Sequence, residues 1–127
     1  MRHEEDILQK QVARYLDLKK VLWCHVANER RTSIQEGVRL KAKGVKSGVP
    51  DCMIYTAKGG FNGLALELKI TKEMGLKKNG DKKKPVKGVV SDNQAKWLSK
   101  LSVEGWFSHV AYSFDEAKTI IDNYLKS

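Results

Sequence analysis

The chain has little of what builds stapled or membrane-embedded proteins. It holds two cysteines, Cys24 and Cys52, in 127 residues. That is too few for a disulfide framework, and a zinc site would want more Cys and His at tight spacing. Both fall in stretches that read as strands, so they are expected to be buried thiols in a reducing compartment. Histidine is scarce as well: His3, His25 and His109 stand far apart. A lone histidine in a strand is read as a satisfied core or surface group rather than a ligand. No apolar run reaches the roughly 18 residues of a spanning helix, and no basic helix has a rich apolar face. Met1 to Glu5 is followed by no apolar core, so no signal peptide is expected. Acidic residues are the minority, 15 against 24 Lys and Arg. The net charge is +9 and the pI about 9.6. In a small domain such a balance points to a polyanion, first of all nucleic acid. Membrane and small-molecule cofactor are not expected. The length suits one domain, residues 1–127, with one modest core, and neither repeat nor linker is visible.

What is present is organised around two apolar runs. Gly48-Val49-Pro50-Asp51 leads into Cys52-Met53-Ile54-Tyr55, and Gly63-Leu64-Ala65-Leu66 leads into Glu67-Leu68-Lys69-Ile70. The turn-rich connector 56–62 is short enough for a hairpin. Strand side chains alternate, so Glu67 and Lys69 share one face while Leu66, Leu68 and Ile70 share the other. With antiparallel pairing of strands near 51–55 and 63–70, Asp51 falls beside Glu67. Two carboxylates and a lysine then share one end of a sheet. Hard divalent cations take carboxylate oxygens in such an arrangement, with an ammonium close by. Taken singly, Asp51 is a turn acid, and Glu67 and Lys69 are a solvated strand face.

Elsewhere the pattern alternates helix and strand. Residues 4–18 read as a helix, with Ile7, Leu8, Val12, Tyr15 and Leu16 at helical spacing. Glu4, Glu5 and Asp6 suit its dipole, and Glu5 and Gln9 share a face. A strand at 21–27 is followed by the polar 28–32. Ser33-x-x-Glu36 is a capping box for a short helix to Lys43, stopped by Gly44. Arg30, Arg31, Arg39, Lys41, Lys43 and Lys46 make this region basic, a phosphate track leading to Asp51. Residues 72–88 carry seven lysines against Glu73 and Asp81, a net of +5. Gly75, Gly80, Pro85 and Gly88 are read as breaking regular structure there. A mobile lysine loop is expected, a clamp on a nucleic-acid backbone through Lys77, Lys78, Lys82, Lys83 and Lys84. Ser91-x-x-Gln94 caps a helix with Trp97, Leu98 and Leu101 inward, ending at Gly105. A strand at 106–112 and a helix with Ala117, Ile120, Ile121 and Tyr124 as its stripe complete the chain. The expected fold class is α/β, a mixed central sheet of about four strands flanked by helices.

Pro50-Asp51, fifteen intervening residues and Glu67-Leu68-Lys69 resemble the PD-(D/E)xK nuclease motif. Glu5 with Gln9, Asn28 and the arginines after the first strand, Gly44, Gln94 and Gly105 fall in an order similar to the virus-type replication-repair nucleases. This is the VRR-NUC domain in its small stand-alone form. The resemblance covers nearly the whole chain except 72–88. It implies a restriction-endonuclease-like core and a divalent-metal-dependent endonuclease, with Holliday-junction resolvases as structural relatives. It also implies a homodimer cutting branched, four-way DNA, in a phage- or bacterium-type cytoplasmic setting. On this reading Asp51, Glu67 and the Leu68 backbone carbonyl hold Mg²⁺ or Mn²⁺. Glu5, or Glu4 if the helix register differs by one, is an outer ligand through water. Lys69 orients or deprotonates the attacking water, and Gln94 steadies Lys69 or that water, or is only a capping-box residue. The alternatives are a non-catalytic basic nucleic-acid-binding module and a PD-(D/E)xK nuclease acting on other DNA or RNA.

Overall fold

The central sheet has four strands, and a separate ribbon has two. The structure, a computed structural model, describes residues 3–27 and 33–127. Along the chain run α1 (His3–Lys19), β1 (Trp23–His25), α2 (Ile34–Ala42), β2 (Cys52–Ile54), β3 (Leu64–Leu68), β4 (Thr71–Lys72), β5 (Val86–Lys87), α3 (Asp92–Val103), β6 (Phe107–Ala111) and α4 (Phe114–Lys126). β1 and β2 pair antiparallel, as do β2 and β3, whereas β3 and β6 run parallel. A parallel pair needs a long crossover, and α3 lies in it.

β3 is central, and all five of its residues are buried. Its alternation sorts two apolar clusters. Leu64, Leu66 and Leu68 pack with Cys52 and Ile54 against Leu8, Val12 and Leu16 of α1 and Ala117, Ile121 and Tyr124 of α4. Ala65 packs on the opposite face with Met53, Leu101 and the half-buried Trp97 and Trp106. Glu67, two residues on from Ala65, falls on this second face, where α3 lies.

Three expectations are corrected. Cys52 is buried, but Cys24 is exposed, because β1 is an edge strand with one face left open. The strands expected at 21–27 and 63–70 are shorter. The segment 72–88 is not wholly irregular: β4 and β5 pair antiparallel, and Leu76 bridges Lys82. Gly80 serves the turn at the tip instead of breaking the ribbon. Gly75 and Gly80 both have positive φ, and the Gly80 N–H donates to the Lys77 carbonyl at 3.0 Å. Asn28, Arg30 and Arg31 lie outside the described residues.

Candidate active site

The antiparallel register of β2 and β3 pairs Cys52 with Leu66. One step further, Asp51 and Glu67 fall opposite each other. The Asp51 carboxylate accepts the Leu68 N–H at 2.8 Å, which ties the start of one strand to the end of the other. The Asp51 carbonyl accepts the Val26 N–H at 2.9 Å and lies 2.8 Å from His25 Nδ1. A carbonyl can only accept, so the histidine proton of that bond sits on Nδ1. Asp51 is thereby fixed between two neighbouring strands.

Glu67 is the unusual group. Only 2 % of it is exposed, and it alone among the described charged residues is buried. Gln94 Nε2 donates to Glu67 Oε2 at 2.9 Å, and Lys69 Nζ lies 3.7 Å from the same oxygen. The other oxygen, Oε1, is buried and no N–H or hydroxyl reaches it, though the Asp51 and Glu67 carboxyls are close enough to share a hydrogen bond when one of them is protonated. Burial pushes the Glu67 carboxyl up to about 8, and the neighbouring Asp51 adds to that. Burial raises the Asp51 carboxyl as well, against the lowering pull of the Leu68 N–H. Two carboxyls held this close and this dry resist ionising together.

A cavity of about 270 Å³ opens on these groups. Asp51, Glu67, Leu68, Lys69 and Gln94 line it, and Glu5, Asp6, Leu8, Gln9 and His25 complete the wall. Glu5, not Glu4, thus faces the site from α1. Gln9 Nε2 also reaches Cys52 Sγ at 3.5 Å. Gln94 resolves its two readings by using both ends of its amide. Its Oε1 accepts the Ser91 N–H at 2.9 Å in a full capping box, which leaves Nε2 for Glu67. It touches Glu67 directly, so any effect on Lys69 passes through that carboxylate. Gly88 lies close beside the Lys69 side chain and leaves room for it: an added Cβ there would stand 3.3 Å from the Lys69 Cδ.

Sequence reasoning misses His25 because nothing near it in the chain marks a site. Its partner is 26 residues away and arrives only through the β1–β2 register. Asp6, a dipole acid by its place in the first turn of α1, also reaches the cavity wall. Lys46, Lys77, Lys78, Lys82, Lys83 and Lys84 are exposed and do not line the cavity.

A divalent ion fits the donor set. Mg²⁺ takes one or two carboxylates and keeps several waters, and here a buried carboxylate oxygen that no N–H or hydroxyl reaches lies beside a second carboxylate. Among the described residues no group of three or more His, Cys, Asp or Glu is placed to hold a metal ion, so the donors here are the two carboxylates. The pair suits an open, partly hydrated ion rather than a structural one.

No protein-family model matches the chain, and no curated protein matches it in sequence. Among solved structures, the chain is similar to a VRR-NUC domain protein at 26% identity and a TM-score of 0.60. The likeness covers 82% of this chain and 67% of the other. No helix among the described residues is long and apolar enough to cross a membrane. The fold is that of a VRR-NUC domain, a nuclease-type domain, with the mixed four-stranded sheet and flanking helices described above.

Proposed function

We propose that this domain is a divalent-metal-dependent DNA endonuclease, selective for branched DNA such as a four-way junction and working as a homodimer. The observation that carries the reading is Glu67. A buried carboxyl with one oxygen held by Gln94 and Lys69, and the other met by no donor except a proton shared with Asp51, is a burden on folding. It is explained if that oxygen serves a ligand.

Asp51 and Glu67 would hold Mg²⁺ or Mn²⁺, with the Leu68 carbonyl, and Glu5 through water. When bound, the ion would neutralise charge on the scissile phosphate and lower the pKa of a water. Lys69 orients that water or takes its proton. Gln94 fixes the Glu67 carboxylate, and the Leu68 N–H fixes that of Asp51. His25 braces the Asp51 main chain. Arg30, Arg31, Lys46 and the lysines of 72–88 contact phosphates, which gives affinity without reading bases. Selection then rests on the shape of the DNA, and a symmetric junction suits two sites in a dimer.

The test is cleavage of single-stranded, duplex, flap and four-way DNA, with Mg²⁺ or with chelator, by the wild type and by Asp51→Ala, Glu67→Ala and Lys69→Ala. Metal-dependent cutting of the junction is expected, with a loss of about 100-fold or more in Lys69→Ala and larger losses in the carboxylate variants. Full activity in Asp51→Ala overturns the site. DNA binding without product under any metal overturns the enzyme and leaves a basic binding module. Sedimentation that finds a single 14.4 kDa chain per bound junction overturns the dimer.

A further inference from the structure

We propose that a second cavity, lined by Lys41, Val45, Lys46, Ser47 and Trp97, receives one unpaired nucleotide of the DNA whose backbone crosses the carboxylate site. The inference rests on nucleic acid being the substrate proposed above. It adds where an unstacked base goes, and so what kind of DNA the site takes.

The cavity measures about 330 Å³, at the small end of the roughly 300–1,000 Å³ typical of small-ligand sites. Its wall is the half-buried Trp97, which packs from behind on the cluster of Met53, Ala65 and Leu101 and is held in place by it. Its rim carries the exposed Lys41 and Lys46. Among the described residues neither ammonium is paired with a carboxylate. An aromatic face with free cations beside it is how single strands are held: bases stack on the ring and lysines take the phosphates. In a duplex each base face is already covered by its neighbours, so an aromatic-walled pocket takes a base that is out of the stack.

The pocket and the carboxylates are joined by short, fixed connections. Asn93 Nδ2 donates to Ser47 Oγ at 2.8 Å. Gly48, at φ +88, brings the loop so close that an added Cβ would stand 2.7 Å from the Asn93 carbonyl carbon. Gln94, the next residue, reaches Glu67, and Trp97 follows on the same helix after about 4.5 Å of rise. From Ser47 the loop runs on to Asp51. One helix turn and one short loop therefore serve both places, so a strand lying on Asp51 and Glu67 is within reach of Trp97.

The experiment uses the protein labelled with 5-fluorotryptophan, whose three tryptophans give separate ¹⁹F signals, assigned with Trp97→Phe. A ten-nucleotide oligothymidylate is added in EDTA at low salt, and affinity is read by anisotropy. The Trp97 signal is expected to move, and to move less with a duplex of the same length. Trp97→Ala should weaken binding by about 5- to 150-fold, the range of one stacked base. Trp97→Phe, which keeps a ring, should stay within about threefold. Lys41→Glu with Lys46→Glu, both on the surface, should weaken binding without touching the core. An unmoved Trp97 signal at saturation overturns the pocket, as does unchanged binding in the lysine pair. No metal is present, so cleavage has no part in the result. If no DNA is ever cut but Trp97 moves, the pocket stands and the nuclease fails. If metal-dependent cutting is robust but Trp97 stays still, the reverse holds.

Discussion

Gln94 shows how one side chain can serve a helix end and a site together. The capping box sets which end of the amide faces Ser91, and so aims the Nε2 at Glu67. This separates two variants that local stability alone would not. Ser91→Ala removes the cap and should cost about 0.5–2 kcal/mol, a drop of a few degrees in Tm. Gln94→Ala loses the reciprocal half of the box and also the donor on a buried carboxyl, a bond of about 0.5–1.5 kcal/mol while Glu67 is protonated and about 1.5–3 kcal/mol once it is ionised. Cleavage should fall about tenfold or more in Gln94→Ala and stay near wild type in Ser91→Ala. Thermal melts and junction cleavage on both variants check this, and equal cleavage in the two would confine Gln94 to the cap. At this scale Asp51, Glu67 and Lys69 are legible in the sequence because strand alternation and one hairpin decide who shares a face. His25 is not, because its tie to Asp51 joins two strands and leaves no spacing in the chain. The exposure of Cys24 is hidden for a related reason: an edge strand and an inner strand of three residues look alike in sequence.

The segment between β3 and α3 is the element that departs most from its sequence reading. Seven lysines make it look like a charged loop, yet Asn79-Gly80 is a strong hairpin signal. The Lys77 N–H donates to the Asp81 carbonyl at 2.7 Å, and the Lys83 N–H to that of Gly75 at 2.9 Å. The ribbon returns to the sheet where the Gly88 N–H donates to the Ile70 carbonyl at 2.9 Å. The lysines thus ride on paired backbone beside the strand that leads into Lys69. Exposed lysines that meet phosphates release counterions, and each such lysine removed should make the salt slope shallower by about 0.9 for duplex DNA. Replacing Lys77, Lys78, Lys82, Lys83 and Lys84 by Gln should therefore flatten the plot of log Kd against log salt and leave Tm nearly unchanged. Anisotropy titrations from low to moderate salt measure the slope. An unchanged slope would remove the ribbon from the DNA interface. The helices are legible from periodicity and capping boxes, since the stripes of α1 and α4 and the caps at Ser33, Ser91 and Ser113 are local signals. The order of the strands across the sheet is not local, and the parallel pairing of β3 with β6 depends on the crossover as a whole.

For the whole molecule, the buried Glu67 ties folding, pH and metal together. Without metal its carboxyl keeps a proton up to about 8, while an ordinary glutamate releases it near 4.5. Between those values the folded protein binds more protons than the unfolded chain, so stability must fall as pH rises. Asp51, raised in the same direction, adds to the trend. Glu67→Gln keeps the shape and has no proton to hold. In EDTA the wild type should therefore melt progressively below Glu67→Gln from pH 5 to 8.5, with the gap widest at the alkaline end. Metal works against the same proton. A ligand carboxyl must be deprotonated to bind, so Mn²⁺ affinity should rise about tenfold per pH unit and level off above 8. An ion that binds only the folded state raises stability by about 2.7 kcal/mol at a hundred times its Kd. The Mn²⁺-induced rise in Tm should accordingly grow from pH 6 to 8.5 in the wild type and vanish in Asp51→Ala and Glu67→Gln. Melts with EDTA or Mn²⁺ across that range measure both effects on one sample. A pH-independent Mn²⁺ shift, or one that survives in Asp51→Ala, would place the ion somewhere other than between these carboxylates.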